Sequence, residues 1–329
     1  MKAWQLEQYG GAEALRLVDI ADAPAPKAGQ VTIEIAAVAI ESASLHLMTG
    51  EPRAVRLALG WSRPRRPLTP GVQAAGAIVA VGAGVEHFAV GDRVAGFIRG
   101  GLTERVTVRA NRVARIPDAL DLAAAATLPV SAGTALATAR ALALLEPRSA
   151  TGMHVAVIGA AGSVGAPLTA LLARAGAEVT AVARASAAEY VRSLGANAVI
   201  DYRSTPTIDE WGVFDVVIDL ADGRPVSALR HAVTPSGTLA IVGADRGGGA
   251  LLGPASRQLH AALLNPLSRR RLIAVLQSER AADIETLARL TADGELPRTV
   301  ADTVKFDVAP DGYAAFARGG AGGTLVVTR

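Results

Sequence analysis

A strand, a glycine-rich turn and a helix follow one another in the run Val155-Ala-Val-Ile-Gly159-Ala160-Ala161-Gly162-Ser163-Val164-Gly165. Val155 to Ile158 is a short apolar run, and beyond the turn the positions Val164, Leu168, Leu171 and Leu172 fall on one face of a helix. Ala160, Gly162 and Gly165 occupy the small positions of a G-x-G-x-x-G pattern. There the first small residue permits a tight turn, the second lets backbone approach a pyrophosphate, and the third lets helix pack closely on strand. Unpaired N–H groups and the positive end of the helix then face the phosphates, so the chemistry this run can do is nucleotide binding. Glycine spacing by itself also describes ordinary turns; the strand before, the helix after and a further βα unit favour the nucleotide. Pro167 suits such a helix only in its first turn, where no intrahelical bond is lost.

The end of the next strand, Val182-Ala183-Arg184, bears on which nucleotide. An Asp or Glu about twenty residues beyond the loop would hold the ribose 2′-OH of NAD. No acid stands there, and the Arg184 guanidinium can take the 2′-phosphate of NADP in a bidentate pair, which predicts NADPH. The other reading of Arg184 is a solvated residue at a helix start.

These residues need a parallel sheet to position them. From His154 onward, short β-branched runs alternate with helical ones: 154–158, 164–175, 179–182, 187–194, 199–201, 214–220 and 238–242. That alternation belongs to a doubly wound α/β sheet with helices on both faces. The first 120 residues read differently, as strands and turns: Val31 to Ile35 and Leu102 to Val108 alternate with period two, and Ala77 to Glu86 reaches a glycine-rich turn. Residues 121–144 suggest helical segments bent at Pro129 and Gly133, 282–292 a helix, and 323–328 a closing strand. Stretches 245–250 and 319–323 read as loops.

Composition excludes several classes. At 329 residues, half of them hydrophobic and 19% charged, the chain is a packed protein of two domains rather than a disordered segment or a small module. Aromatic residues make up only 4%, so base-stacking platforms have little material. The net charge is +3, with Lys2, Lys27 and Lys305 as the only lysines, and no nucleic-acid partner is expected. Two basic runs, Arg63-Pro64-Arg65-Arg66 and Ser268-Arg269-Arg270-Arg271, read as solvated surface. Cysteine is absent, which removes thiolate nucleophiles and Cys-ligated zinc and fits a reducing compartment. Without a secretory signal pattern or membrane span, the expectation is a cytoplasmic protein.

With these motifs in view, the whole chain resembles the medium-chain dehydrogenase/reductase superfamily, in its zinc-free quinone oxidoreductase (zeta-crystallin-like) branch. Besides the glycine loop, the resemblance rests on Val81 to Phe97 (Val-Gly-Ala-Gly-Val-Glu-His-Phe-Ala-Val-Gly-Asp-Arg-Val-Ala-Gly-Phe), Ala124 to Leu136, and Arg192 to Tyr202 (Arg-Ser-Leu-Gly-Ala-Asn-Ala-Val-Ile-Asp-Tyr). It implies an α/β fold: a Rossmann doubly wound sheet over 123–280 and a GroES-like catalytic β domain from 1–122 and 281–329, commonly in a homodimer. It also implies that Ala161 to Val164 hold the pyrophosphate, that Arg184 and Tyr202 surround the adenosine phosphate, that Val242, Gly243 and Ala244 pass near the nicotinamide, and that Thr134 lies by its ribose. The block Glu41-Ser42-Ala43-Ser44-Leu45-His46 aligns with the family's Asn-x-x-Asp-x-Tyr/His segment, so His46 falls where a cofactor- and substrate-facing ring is expected.

The departures bear on function. Glu41 replaces the usual Asn, Ser44 the usual Asp, Gln73 the usual Asp or Glu, and Ala187 a lysine near the 2′-phosphate. At the catalytic-zinc positions of the alcohol dehydrogenases stand Glu41, Val72 and an apolar stretch near Ser131, so no metal is expected. Hydride transfer without a metal suits a conjugated carbonyl: a quinone, an enone or an enoyl thioester. Imidazole titrates near neutral pH, which makes His46 the candidate donor to the developing oxyanion, with Ser44 and Ser42 as hydroxyl alternatives. His46 packing only against cofactor is the plainer reading. Two other functions stay open: a non-redox cyclase or lyase with Glu41 and His46 as acid and base, and a non-catalytic NADPH-binding protein. His87, His154, His231 and His260 show no ligand spacing, and Tyr9, Tyr190 and Tyr313 no partner pattern.

Overall fold

The computed structural model describes residues 1–221, 223–242, 270–275, 279–319 and 322–329. In chain order the strands and helices begin with β1 (Lys2–Gln5), β2 (Arg16–Asp19), β3 (Gln30–Ala39), α1 (Ser42–Thr49), α2 (Ala54–Leu59), β4 (Ala74–Val81), β5 (Arg93–Gly96), β6 (Arg105–Arg109) and β7 (Val113–Arg115). Next come α3 (Leu122–Ala126), a π-helical turn (Leu128–Ala132), α4 (Gly133–Ala141), β8 (His154–Ile158), α5 (Gly165–Arg174), β9 (Glu178–Ala183), α6 (Ala188–Ser193) and β10 (Ala198–Asp201). The remainder is β11 (Phe214–Asp219), α7 (Val226–Leu229), β12 (Val233–Ile241), β13 (Arg271–Ala274), α8 (Ala281–Ala292), β14 (Val300–Lys305), α9 (Ala309–Arg318) and β15 (Thr324–Thr328). They form two compact units, residues 1–133 with 279–329, and residues 134–278.

The first unit is a largely antiparallel sheet in the order β14-β15-β3-β4-β5-β7, with β6 also on β3. Val31, Ile33 and Ile35, every second residue of β3, are buried in a core with Ile78, Val94, Met48, Phe306 and Tyr313. Pairing of β15 with β3 ties the end of the chain into the sheet. In α8 the buried Ile284, Leu287, Ala288 and Thr291 follow the spacing of one helix face. Helices α1 and α2 were not read from the sequence of this β-rich half, because eight and six residues hold too few turns for a 3.6-residue period to stand out.

The second unit is a parallel sheet in the order β10-β9-β8-β11-β12-β13. Numbered within the sheet this is 3-2-1-4-5-6, and the order reverses between β8 and β11. Val155 to Ile158 and Val216 to Asp219 are buried without interruption, as strands covered on two faces must be. Helix α5 packs on β8 and β9, and everything from Gly165 to Leu172 is buried. Pro167 is its third residue, where an N–H would have had no intrahelical partner.

Candidate functional site

Helix α5 begins at the loop that leaves β8, at the reversal point of the parallel sheet, where ligands of such sheets bind. Gly159 turns the chain with φ +86°. The Gly162 N–H donates to Gly159 O at 3.0 Å, closing the turn. A Cβ on Gly165 would lie 2.1 Å from Gly159 O, so the helix meets the strand at a distance only glycine allows. A Cβ on Gly162 would meet nothing nearer than that same oxygen at 3.2 Å, and it is the space beyond that backbone that must stay open. Ala160 is buried, while Ala161 to Val164 are partly exposed. The N–H groups of Ala161, Ser163, Val164 and Gly165 donate to no other group among the described residues. Four orphan donors at a helix start fit a pyrophosphate.

Arg184 follows β9 directly, and its Nε donates to the Tyr202 hydroxyl at 3.0 Å. That bond, with the charges of Arg184 and Arg203 behind it, holds the Tyr202 phenol below its ordinary range, against the opposing effect of burial. Arg224 lies over the Tyr202 ring at 5.8 Å and over Trp211 at 4.9 Å. Three guanidiniums therefore surround one phenol, a setting for a dianionic phosphate. Sequence reading named Arg184 and Tyr202 but passed over Arg203 and Arg224. Arg203 adjoins Tyr202 in the chain and could have been noticed; nothing in the sequence signals Arg224. Thr134 is the second residue of α4, and Val242 follows β12 with its N–H on Asp219 O at 3.0 Å. Gly243, Ala244, His260 and the arginine run beginning at Ser268, up to residue 269, lie outside the described residues, as does the 245–250 stretch.

In the first unit, Glu41 is the N-cap of α1: its Oε1 accepts from the Ser44 N–H at 3.0 Å and from the Ser44 hydroxyl. The Ser44 oxygen accepts in turn from the Gly71 N–H at 3.1 Å. Ser44 is 0% exposed and its hydroxyl is engaged as donor and acceptor, so its geometry serves the helix start and the adjoining loop. Gln73, fully buried, accepts from the Val130 N–H at 2.9 Å. Tyr313 reaches the same interior from α9, and among the described residues its hydroxyl has no hydrogen-bond partner. Burial drives its phenol far above the ordinary range and the Glu41 carboxylate adds to the rise, while the nearby Ser44 hydroxyl opposes it. No sequence signal links residues 41 and 313, which meet only through the tertiary fold.

His46, on the same helix, is partly exposed. Its Nδ1 lies 2.7 Å from Glu51 O, and since a carbonyl only accepts, Nδ1 carries the hydrogen in that bond. The Glu41 Oε1 accepts from Ser44, and the His46 Nδ1 bond is to Glu51 O. The zinc positions of the resemblance hold the capping Glu41, the apolar Val72 and the buried Ser131, a donor set that does not fit zinc. Among the other histidines, His154 pairs with Glu178 and His231 with Asp209, both at 3.5 Å on the surface, and His87 packs against Phe88.

A Rossmann-type sheet with a phosphate-ready loop in one unit, and a GroES-like sheet built from both chain ends in the other, define a nucleotide-dependent oxidoreductase class. The family described as alcohol dehydrogenase GroES-like domain matches residues 27–118, and that described as zinc-binding dehydrogenase matches residues 194–327. A chloroplast envelope quinone oxidoreductase homolog of Arabidopsis thaliana is 27% identical over 338 residues, covering 99% of this chain and 98% of its own. An NADPH-dependent alkenal/one oxidoreductase, chloroplastic, of the same plant is 31% identical over 265 residues, 74% of this chain and 66% of its own. Among solved structures, the quinone oxidoreductase from Coxiella burnetii superposes with a TM-score of 0.86 at 20% identity, covering 100% of this chain and 99% of that one. The chain belongs to the medium-chain dehydrogenase/reductase superfamily, on its quinone oxidoreductase branch. Among the described residues no helix is long and apolar enough to cross a membrane.

Proposed function

We propose that the protein is an NADPH-dependent, metal-independent reductase of a conjugated carbonyl compound: a quinone, an enone or an enoyl thioester. The observation that carries this reading is the pairing of four unpartnered amides at the start of α5 with the guanidiniums of Arg184, Arg203 and Arg224 around Tyr202. One set suits a pyrophosphate and the other a 2′-phosphate, and no carboxylate follows β9 to favour a free 2′-OH. The names of the two plant relatives point to the same acceptor chemistry.

When bound, reduced nicotinamide supplies a hydride to the β-carbon of the acceptor. His46 answers at the other end of the conjugated system. Its imidazole donates to the oxygen on which charge builds, and the Nδ1 bond to Glu51 O holds the ring for that donation. Glu41 and Ser44 keep the first turn of α1 in place and so set where His46 stands. We also take the protein to be a cytoplasmic homodimer acting on a small molecule.

The test is a fluorescence titration with NADPH and with NADH, followed by addition of a quinone and an enone while absorbance of the reduced nicotinamide is recorded. Selective NADPH binding and oxidation on adding acceptor are expected. Equal affinity for the two nucleotides overturns the role given to Arg184, and NADPH binding with no oxidation by any conjugated carbonyl overturns the reductase.

A further inference from the structure

Residues 60–67 form a short, well-braced loop after α2. The Gly60 N–H donates to Arg56 O and the Arg65 N–H to Leu59 O, each at 2.8 Å. The Tyr9 hydroxyl donates to Gly60 O at 2.6 Å, and Arg56 lies over the Tyr9 ring at 4.7 Å while its Nε donates to Gly50 O at 3.0 Å. Gly60 has φ +132°, and a Cβ there would fall 2.2 Å from Arg63 O, so the closure depends on glycine. The same Tyr9–Arg56 clamp ties the loop to Gly50, the end of the helix that carries His46.

What this loop displays is unusual for a solvated turn. Trp61 is 60% exposed, whereas Trp4 and Trp211 are buried. Arg63, Arg65 and Arg66 stand beside it around an open depression of about 530 Å³, with Glu7 the only carboxylate in its lining. None of these three arginines has an ion pair among the described residues, although Arg93, Arg105, Arg115, Arg298 and Arg329 each have one. Three arginines against one carboxylate in one depression leave an excess of positive charge there, which bound anionic charge offsets.

We propose that this loop binds the 3′-phosphoadenosine diphosphate end of coenzyme A, which makes the acceptor an enoyl thioester of coenzyme A. The proposal rests on the reductase reading above and selects among its substrate classes. Planar guanidinium forks accept phosphate oxygens in pairs, and an exposed indole gives an adenine a face to stack on. Three phosphate groups answer three arginines. A quinone or a free enone has nothing that would use them.

The test is calorimetric titration of the full-length protein with coenzyme A, with 3′-dephospho-coenzyme A, and with coenzyme A in the presence of saturating NADPH. Expected are one coenzyme A per chain whether or not NADPH is present, weaker binding of the dephospho form, and losses on the order of tenfold or more for Arg63→Gln, Arg66→Gln and Trp61→Ala. Arg66→Lys should lose less, and thermal melts check that each variant is folded. Reduction of an enoyl N-acetylcysteamine thioester, which has no nucleotide, should be unchanged in all of them. Absence of coenzyme A binding, displacement by NADPH, or variants that bind as the parent does overturns the proposal. Binding of an enoyl group only when it is borne by an acidic carrier protein, weakened by the same variants, overturns it in favour of protein docking. Loop-dependent binding of coenzyme A with no reduction of any conjugated carbonyl leaves this site standing and overturns the reductase reading instead.

Discussion

Arg184 and Tyr313 show how differently one side chain can matter. Arg184 gives its Nε to Tyr202 and is otherwise solvent-facing, so replacing it disturbs no core. Arg184→Gln removes one charge-assisted phosphate contact, about 1.5–3 kcal/mol, and should raise the Kd for NADPH on the order of ten- to a hundredfold while that for NADH stays nearly constant. The two titrations check it. Tyr313 is the reverse case, a fully buried phenol whose hydroxyl has no partner among the described residues. Burial raises its folded-state pKa above the unfolded value of 10.0, so its contribution to stability is fully present below about pH 10 and is lost as the pH climbs toward the folded value. The parent should lose up to about 1.4 kcal/mol of stability per pH unit in that alkaline range through this one group. Tyr313→Phe should be neutral or slightly stabilising at pH 7 and should lack that alkaline loss, as denaturant unfolding at several pH values will read.

At the scale of elements, two starts of helices carry the proposed chemistry, and each depends on one small contact. The α5 start needs glycine twice, for different reasons. Gly165→Ala forces a methyl against Gly159 O, and overpacking of this kind costs about 1–3 kcal/mol, so melting temperature and NADPH affinity should fall together. Gly162→Ala meets only one oxygen, at 3.2 Å, so melting should change little while NADPH binding is lost. A Gly162→Ala protein that still binds NADPH as tightly as the parent would remove the pyrophosphate from that turn. The α1 start needs Glu41. Glu41→Ala deletes the cap and leaves the buried Ser44 hydroxyl without its acceptor, at a cost of about 1–2 kcal/mol, and His46 should lose its position with it. Thermal melts and kcat, measured on the same preparation, should both decline, with the Kd for NADPH unchanged.

Across the whole molecule, each compact unit has its own sheet and its own apolar core. A ligand that binds only folded protein stabilises what it binds, by about 2.7 kcal/mol at one hundred times its Kd. NADPH should therefore slow hydrogen exchange chiefly in β8, α5 and the end of β9, and much less in β3 and β4. Equal protection of both sheets would contradict a nucleotide held by the second unit.

Much of the second unit was legible in the sequence, because a parallel sheet covered on both faces writes its strands as continuous apolar runs and its phosphate turn as glycine. The β-strands of the first unit showed their period-two alternation, whereas α1 and α2 were too short to show a period. The sequence by itself determined the fold class, the order of strand, loop and helix at Gly159 to Gly165, the absence of an acid directly after β9, and the lack of Cys or His at positions 41 and 72. Only the tertiary structure decided the company each polar group keeps. It brings Arg224 to Tyr202, turns Glu41 and Ser44 into a helix cap, and sets Tyr313 beside them from a helix some 270 residues away in the chain. Local pattern registers periodicity and turn chemistry over a few residues. Electrostatics and hydrogen bonding act across the few ångströms that folding closes between distant segments, and that proximity is not a local property of the sequence.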